Sequence, residues 1–357
     1  MEIKIIENSK QFLELKNAWK ALEIKSDEVT FYSTYDYLYN WYVFNKSNNF
    51  ELKIICVFEK NEIIGIAPLM IENRKIILFR TKVLRFIGRA DFHNFIIDSD
   101  VKQQSVLKKI FETIKINLKW DKLELSHVAN NTYLSFFCLK SELYNLKFEH
   151  LGENPIIDLN KNDDFAVYKK IYFKKKINYY KNKLKKELNT SLEVVLGNTN
   201  NILDEISSIH ISRNANEKGR RSLFENKAIF NLIKKIYTLD KQGITFVLRT
   251  AKGDIVSYAT CYQFNKTLHN WNTSYNLSYS DYSAGDLIYL EMVNYAFENR
   301  DSIEVIDFGA GRYPWKFRMT STFIPTYKLN YNNKESNKFY ILEAYDKLFK
   351  IGKILFK

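Results

Sequence analysis

The sequence is poor in cysteine, proline and glycine, and it lacks a long apolar run. Its three cysteines, Cys56, Cys138 and Cys261, show no CxxC spacing, which makes a disulfide framework or a zinc site improbable. No stretch approaches the roughly 18 apolar residues of a membrane span, and the acidic start is no signal peptide. We therefore expect reduced thiols, no metal and a place in the cytoplasm.

Lysine and asparagine are abundant. With only 4 prolines and 11 glycines, this composition is what AT-biased coding produces. The 54 Lys and Arg against 41 Asp and Glu give a formal charge of +13, which suits partners that carry phosphate or carboxylate groups. Since coding bias accounts for the charge as well, the charge alone identifies no ligand. The 357 residues, of which 46% are hydrophobic, predict about two packed domains.

The pattern of elements repeats along the chain. In the first half, strands are expected at 51–58 and 63–70, a helix at 105–118 and a strand at 122–127. In the second half the same order predicts strands at 244–249, 255–262 and 267–275, a helix at 287–297 and a strand at 303–308. Helices precede each half, at 10–22, 34–45, 202–213 and 226–239. Two copies of this order predict a duplicated α+β domain.

Two basic segments flank the second half. Residues 163–189 predict a helix that either lies on an acidic or phosphate-bearing surface or is a solvated linker. Residues 339–356 form an amphipathic basic segment that either packs on the body or touches a membrane surface or a partner. The predicted divisions are an N-terminal domain, a linker helix, a C-terminal domain and a tail, at residues 1–160, 161–190, 191–330 and 331–357.

Four stretches resemble one family. YSAGDLIYL (282–290) and DFGAGRYPWK (307–316) resemble the helix start and the strand exit of BioF2-like acetyltransferases. IGIAPL (64–69), and LRFIG (84–88) with Asp91 after it, resemble the first-half motifs of that family. This GNAT branch includes CelD-like proteins of cellulose or capsule biosynthesis and is related to the FemAB peptidoglycan aminoacyltransferases. The resemblance covers about residues 10–325.

The resemblance implies tandem GNAT-like domains, each a mixed, mostly antiparallel sheet flanked by helices. It implies a bacterial N-acyltransferase that moves an acyl group, above all acetyl from acetyl-CoA, to an amine. The acceptor it implies is an amino-sugar in surface polysaccharide or envelope precursor metabolism. The first domain would be degenerate and would shape the acceptor, and the protein would lie in the cytoplasm or at the inner face of the membrane.

The donor site is expected at the start of the second-half helix. Backbone N–H groups at a helix N-terminus bind pyrophosphate, and Ser283, Ala284 and Gly285 open that helix. Gly285, lacking a Cβ, permits close approach of the phosphates. The alternative is a capping box between Ser283 and Asp286, whose charge argues against a phosphate unless the carboxylate points away.

The reacting groups are expected on the two strands beside this helix. A backbone N–H of segment 268–275, which ends at Tyr275, would meet the thioester oxygen. Asp307 and His269 are the candidates to take the proton of the amine. The alternatives are a turn-capping role for Asp307 and an ordinary strand position for His269.

Further residues are candidates for acceptor binding. Lys316 offers a point charge for an acceptor phosphate or the oxyanion, and Trp315 and Tyr313 offer ring faces for a sugar or base. The alternative is a packed aromatic loop. Arg213, with the basic loop 216–221 after it, is placed near the acceptor or the CoA phosphates by the resemblance, and a solvated loop is the alternative.

In the first half, Asp91 and His93 are expected to line the acceptor cleft. Two other functions stay open. A FemAB-like transferase would take an amino acid from aminoacyl-tRNA, although no sustained heptads indicate the coiled-coil insertion common in that group. A non-catalytic protein that binds nucleic acid or another polyanion would fit the charge, although its basic residues are spread along the chain.

Overall fold

A computed structural model describes residues 1–355 apart from 48, 77, 141–145, 163, 217–220 and 240–242, with backbone alone from 349 onward. The strands are β1 (Glu2–Ile6), β2 (Phe50–Leu52), β3 (Ile54–Glu59), β4 (Glu62–Ala67), β5 (Leu69–Ile76), β6 (Phe79–Phe86), β7 (Ile96–Ile97), β8 (Lys122–Ala129), β9 (Lys147–Asp158), β10 (Ser191–Leu196), β11 (Gly243–Arg249), β12 (Ile255–Phe264), β13 (Thr267–Tyr275), β14 (Val305–Asp307) and β15 (Thr322–Asn332).

The helices are α1 (Ser9–Glu14), α2 (Lys16–Lys25), α3 (Tyr35–Asn45), α4 (Gln103–Asn117), α5 (Tyr133–Lys140), α6 (Phe165–Tyr172), α7 (Ile177–Leu188), α8 (Ile202–Ala215), α9 (Lys227–Thr238), α10 (Ala284–Glu298), α11 (Pro314–Phe317) and α12 (Phe339–Leu355). Within the part of the chain that is described, no helix is both long and apolar enough to cross a bilayer. The chain divides into two compact units.

Unit 1 comprises Met1–Gly152 and Pro325–Lys357. One sheet has the order β1-β3-β4-β7, and a second group of strands has the order β15-β8-β6-β5-β2. The strand predicted at 63–70 is divided at Pro68, where the chain passes from the first sheet into the second. Proline lacks the N–H that a central strand needs, which explains why the ladder is interrupted at this residue.

The chain passes from β6 through β7 of the other sheet and then through helix α4 to β8, and β6 and β8 run parallel. The buried side chains of α4 pack in the core of unit 1, as the predicted 3.6-residue period requires: Val106, Leu107, Ile110, Phe111 and Ile114. A right-handed β-α-β connection is the ordinary way to join parallel neighbours in one sheet.

Unit 2 comprises Glu153–Ile324, and its strands have the order β10-β11-β12-β13-β14-β9. The pairs from β10 to β13 are antiparallel, whereas β13 and β14 are parallel and are joined through α10. Each unit therefore ends its antiparallel strands with a β-α-β crossover, β6-α4-β8 or β13-α10-β14. The α+β class, with mixed and mostly antiparallel sheets flanked by helices, is confirmed, and the order of elements recurs as predicted.

The basic segment 163–189 contains two helices, α6 and α7, instead of the single predicted helix. Tyr168, Ile177 and Leu184 are buried in the core of unit 2, because each helix is amphipathic and turns its apolar side inward. The hydroxyl of Tyr168 donates to the carbonyl oxygen of Met319. The lysines of this segment therefore lie on two packed helices and on the turn between them. The domain boundaries predicted at 160, 190 and 330 stay predictions.

The start of the C-terminal helix α12 is held on unit 1. Leu342 is buried, and the carboxylate of Asp346 accepts hydrogen bonds from the ammonium group of Lys122 at 2.7 and 3.0 Å. The carboxylate of Glu343 pairs with Lys147 at 2.8 Å. The first turns of the helix thus pack on the body, one of the two alternatives the sequence left open.

Candidate active site

The site is built where two parallel strands of unit 2 diverge. β13 and β14 pair over three residues, of which the last pair is His269 with Asp307. β14 ends there, whereas β13 continues to Tyr275. Past this pair β13 no longer pairs with β14, which leaves an opening between the two strands.

A bulge marks β13 at the same place. Thr260 of β12 pairs with Asn272, and Cys261 pairs with Asn270, so Trp271 is an extra residue in β13. Bulges re-aim backbone groups and occur beside active sites. The predicted oxyanion-binding segment 268–275 contains this bulge.

Helix α10 begins beside the opening, and Ser283 precedes its first residue in a left-handed conformation with φ of 54°. The hydroxyl of Ser283 donates to Oδ2 of Asp286 at 3.1 Å. It caps no backbone N–H of the helix. The capping-box alternative is therefore wrong, because the hydroxyl of Ser283 bonds the carboxylate of Asp286 and no backbone N–H of the helix.

The carboxylate of Asp286 does not stand alone at the helix start. Its Oδ2 lies 3.2 Å from Nζ of Lys174, and its Oδ1 lies 3.8 Å from a guanidinium nitrogen of Arg318. Both cations keep more than half of their side-chain surface exposed, at 61% and 52%. The first turn of α10 is therefore electropositive despite Asp286, which removes the objection that the sequence raised against a phosphate.

Three of the predicted site residues, Arg213, Tyr275 and Gly285, lie close together at the start of α10. A Cβ placed on Gly285 would lie 3.6 Å from Cδ1 of Tyr275, an ordinary contact distance. The guanidinium carbon of Arg213 lies 4.2 Å from the centroid of the same ring, in cation–π geometry. Arg213, Tyr275 and Gly285 thus form one cluster, although 62 residues separate Arg213 from Tyr275 in the chain.

His269 and Asp307 form a buried pair at the neck of the opening. Nδ1 of His269 and Oδ2 of Asp307 are 2.9 Å apart, and the two residues are 7% and 2% exposed. The other oxygen of Asp307 accepts a hydrogen bond from the backbone N–H of Gly309 at 2.8 Å. The turn-capping bond is thus present together with the contact to His269, and a part for Asp307 in proton removal stays a prediction.

The turn after β14 is closed by Lys316. Its buried ammonium group donates to the carbonyl oxygens of Gly309 and Ala310, both at 2.8 Å. Gly309 and Gly311 have φ of 70° and 112°, so the left-handed turn needs glycine at both positions. Lys316 therefore fixes the loop that borders the opening.

The two aromatic residues of this loop have different surroundings. Tyr313 is half exposed, and the ammonium group of Lys316 lies 5.3 Å from the centre of its ring. Trp315 stacks on Tyr289 at 4.6 Å and meets the edge of Phe308 at 5.8 Å. One face of Trp315 is therefore covered by the core, as the packed-loop alternative expects. A role for either ring in ligand binding stays a prediction.

A hydrogen-bonded network that sequence reasoning missed crosses to β13 from α8. The amide nitrogen of Asn272 donates to Nε2 of His210 at 3.0 Å, and the hydroxyl of Tyr258 donates to the amide oxygen of Asn272 at 2.8 Å. Nδ1 of His210 bonds Ser222 Oγ at 2.8 Å. Burial, and then the nearby Arg213, lower the pKa of His210 to about 4, so its ring is neutral.

No periodicity could have revealed this network, because its members lie on four segments that meet only in the folded unit. The sequence likewise placed Lys174 on a basic helix without showing that it faces Asp286. Of the predicted basic loop 216–221, residues 217–220 lie outside the described residues. Among the residues that are described, no cluster of three or more metal-ligating side chains occurs.

The remaining candidates lie in unit 1. Asp91 accepts a hydrogen bond from the hydroxyl of Tyr32 at 3.1 Å. His93 is buried, and its Nδ1 lies 3.1 Å from the carbonyl oxygen of Ser126. Their predicted role in lining the acceptor cleft stays a prediction.

Comparison with known proteins is consistent with this geometry. Residues 173–317 match the model of a family described as acetyltransferase (GNAT) domain. FemX shares 12% identity over 94% of this chain and 98% of its own, with a TM-score of 0.62. L-PGS from Bacillus licheniformis shares 11% over 92% of this chain and 96% of its own, with a TM-score of 0.53.

A conserved protein of unknown function from Bacteroides thetaiotaomicron shares 13% over 92% of this chain and all of its own, with a TM-score of 0.58. No curated protein matches the chain in sequence. The structural likenesses establish the fold, and the matched segment contains α10, the opening and Lys316. Residues 173–317, most of unit 2, are therefore similar in sequence to GNAT acetyltransferase domains.

Proposed function

We propose that this protein transfers an acyl group, with acetyl as the first choice, from acyl-CoA to an amine. The observation that carries the proposal is the electropositive start of α10 beside the opening between β13 and β14. An anion at a helix N-terminus gains from the free N–H groups and from the helix dipole. Lys174 and Arg318 add two partly exposed cations at the same turn. This arrangement suits the pyrophosphate of CoA.

The proposed reaction takes place in the opening between β13 and β14. With the pyrophosphate on α10, the pantetheine arm would run along β13, and the thioester carbonyl would lie near the bulge at Trp271. A backbone N–H that has left the ladder would donate to the carbonyl oxygen as it becomes an oxyanion. The amine nitrogen attacks the carbonyl carbon, a C–N bond forms, and collapse of the tetrahedral intermediate breaks the C–S bond.

The amine must lose a proton, and we assign this step to the His269–Asp307 pair. An imidazole oriented by a carboxylate is a frequent arrangement for a general base. In this proposal Asp307 orients His269, and the released CoA thiolate is finally protonated. Lys316 acts through the two carbonyl groups it holds, keeping the turn after β14 in place beside the reacting atoms.

For the acceptor we propose an amino-sugar in a surface polysaccharide or envelope precursor, on the strength of the sequence resemblance. Unit 1 would contribute to acceptor binding through Asp91 and His93. The protein would act in the cytoplasm or at the inner face of the membrane, where such precursors are built.

The test is incubation of the purified chain with a panel of acyl-CoA donors and a small-molecule extract. Release of the CoA thiol would be followed with a thiol reagent, and mass spectrometry would identify the acylated product. We expect thiol release that depends on the extract and a product heavier by one acyl group. The proposal would be refuted if the chain bound no CoA and released no thiol with any donor.

One alternative keeps a specific observation in its favour. α6 and α7 present lysines on their outer surface, and a FemAB-like enzyme would use such a surface to bind the backbone of aminoacyl-tRNA. The fold shared with FemX fits this alternative as well. Transfer of a labelled amino acid from charged tRNA, without dependence on CoA, would favour it. Salt-sensitive binding of nucleic acid without any transfer would favour a polyanion-binding protein instead.

A further inference from the structure

Unit 1 contains its own opening at the equivalent point of the repeat. β6 and β8 are parallel, and their pairing ends at Arg85 with Glu124. β8 continues to Ala129, whereas the chain leaves β6 after Phe86. The two strands therefore diverge just beyond the last pair, as β13 and β14 do in unit 2.

His93 occupies this opening. Its backbone N–H donates to the carbonyl oxygen of His127 at 2.9 Å, and its Nδ1 bonds the carbonyl oxygen of Ser126 at 3.1 Å. A carbonyl can only accept, so Nδ1 carries the proton and Nε2 is left as an acceptor. The ring stacks on Phe86 with 4.7 Å between centroids.

The acceptor Nε2 of His93 is buried and has no hydrogen-bond partner among the residues that the structure describes. The residue is only 6% exposed. Leaving a buried polar atom without a hydrogen bond is unfavourable, so such atoms are rare unless something else supplies the partner. Burial, and then the neighbouring His127, lower the pKa of His93 to about 3, which keeps the ring neutral at physiological pH.

A cavity of about 270 Å³ lies at this opening. Six polar or charged residues of its lining decide its chemistry: Arg74, Arg85, Arg89, Glu124, His93 and His127. The volume is just below the roughly 300–1,000 Å³ range of ligand sites, which suits a group of monosaccharide size or less. His127 has a left-handed φ of 59° within β8, an uncommon conformation for a residue other than glycine.

The charges of the lining leave a cationic excess. Arg85 binds Glu72 at 2.7 Å and the carbonyl oxygen of Gly88 at 2.8 Å. Glu124 is held by Arg74 at 2.9 Å and by Lys328 at 2.8 Å. Burial alone would raise the pKa of Glu124, but these two cations lower it to about 2, so the carboxylate is ionised and paired.

Arg89 is the third arginine of the lining, and it is exposed at the rim. Asp91, the other carboxylate nearby, accepts from the hydroxyl of Tyr32. A ligand anion would therefore meet arginines, while the only carboxylate among the residues of the lining is already neutralised.

We propose that the cavity of unit 1 binds a small oxyanion that also carries a hydroxyl group. The anionic group lies against Arg89 and the edge of Arg85, and the hydroxyl donates to Nε2 of His93. This site is distinct from the donor site on α10, and its existence does not depend on the reaction proposed for unit 2.

Calorimetric titration of the full chain with matched pairs of probes tests the proposal. Glycerol 3-phosphate is compared with propyl phosphate, and glycerate with propionate, because each pair differs in hydroxyl groups alone. We expect the hydroxylated probe of a pair to bind about three- to tenfold more tightly, the value of one hydrogen bond to a buried acceptor. The two pairs also show whether phosphate or carboxylate is preferred.

Two variants and one control variant test the position of the site. Arg89→Gln should weaken both members of a pair by about tenfold, while Arg80→Gln, near the start of β6 and away from the cavity, should leave binding unchanged. His93→Phe keeps a ring to stack on Phe86 and should abolish the advantage of the hydroxylated probe. As a check that needs no variant, the ¹⁵N resonance of His93 Nε2 should shift when glycerol 3-phosphate is added.

Absence of binding by all four probes at concentrations of about 10 mM would overturn the proposal. So would binding that is equal for both members of each pair, or binding that Arg89→Gln leaves unchanged. CoA binding in unit 2 is measured on the same samples. If CoA binds but the four probes do not, this proposal fails while the donor site of the proposed acyl transfer stands. If the probes bind but CoA does not, the proposed acyl transfer fails while this proposal stands.

Discussion

Replacing Gly285 by glutamate tests the donor site most directly. Gly285 is the second residue of α10, and a Cβ at this position would make only an ordinary contact of 3.6 Å with Tyr275. A carboxylate in the first turn is favourable for the helix dipole, so the fold should tolerate the change. The same carboxylate would face the pyrophosphate of a bound CoA.

The magnitude follows from Coulomb's law. One negative charge about 6 Å from a phosphate, at an effective dielectric constant of about 20, costs about 3 kcal/mol, or roughly a hundredfold in affinity. CoA binding would be measured by calorimetry for the wild type and for Gly285→Glu. Gly285→Ala tests the added Cβ and should bind within about threefold of the wild type, since its contact distance is ordinary.

Gly285→Gln separates size from charge, because glutamine has the shape of glutamate without its charge. We expect glutamine to retain most of the affinity that glutamate loses, and the difference to shrink in about 1 M salt, where the screening length falls to roughly 3 Å. An unchanged affinity in Gly285→Glu would refute the site on α10. Equal losses in the glutamate and glutamine variants would refute the electrostatic reasoning.

Three other outcomes are expected. Lys316→Ala should lower turnover by about tenfold or more with little change in CoA affinity, because the turn it holds borders the reacting atoms; full activity would remove it from the mechanism. Arg213→Gln should weaken CoA or acceptor binding by about threefold to tenfold through loss of its cation–π contact, and unchanged steady-state kinetics would contradict this. Glu23 has a pKa raised to about 7, mainly by burial, so its folded form favours the proton. Its contribution to stability is complete below about pH 4.5 and is lost as pH rises through about 7. Glu23→Gln should therefore unfold at a similar urea concentration at pH 4.5 but be more stable by about 1–3 kcal/mol at pH 8, and an equal midpoint at pH 8 would contradict the assignment.

Local patterns predicted the elements well where hydrophobic period and turn residues agreed. β13 has the bounds predicted from its alternation, and the predicted helix at 105–118 differs from α4 by one or two residues at each end. The misses have local physical causes. The strand at 63–70 is cut by Pro68, and the helix predicted at 163–189 is two helices with amphipathic faces of their own.

The sequence by itself determined that the chain would repeat an α+β unit, since alternation and helical period act over neighbouring residues. The motif DFGAGRYPWK also contains the two glycines that the turn after β14 requires, because a left-handed φ favours glycine whatever surrounds it.

Only tertiary structure decided which charges meet. Lys174 neutralises Asp286, Arg213 covers Tyr275, and Asn272 engages His210, although each pair joins segments more than 60 residues apart. Side-chain partners across such distances depend on strand order and helix packing, which no local pattern encodes. The same is true of the two openings, because a pair of parallel strands diverges at a place set by the whole sheet.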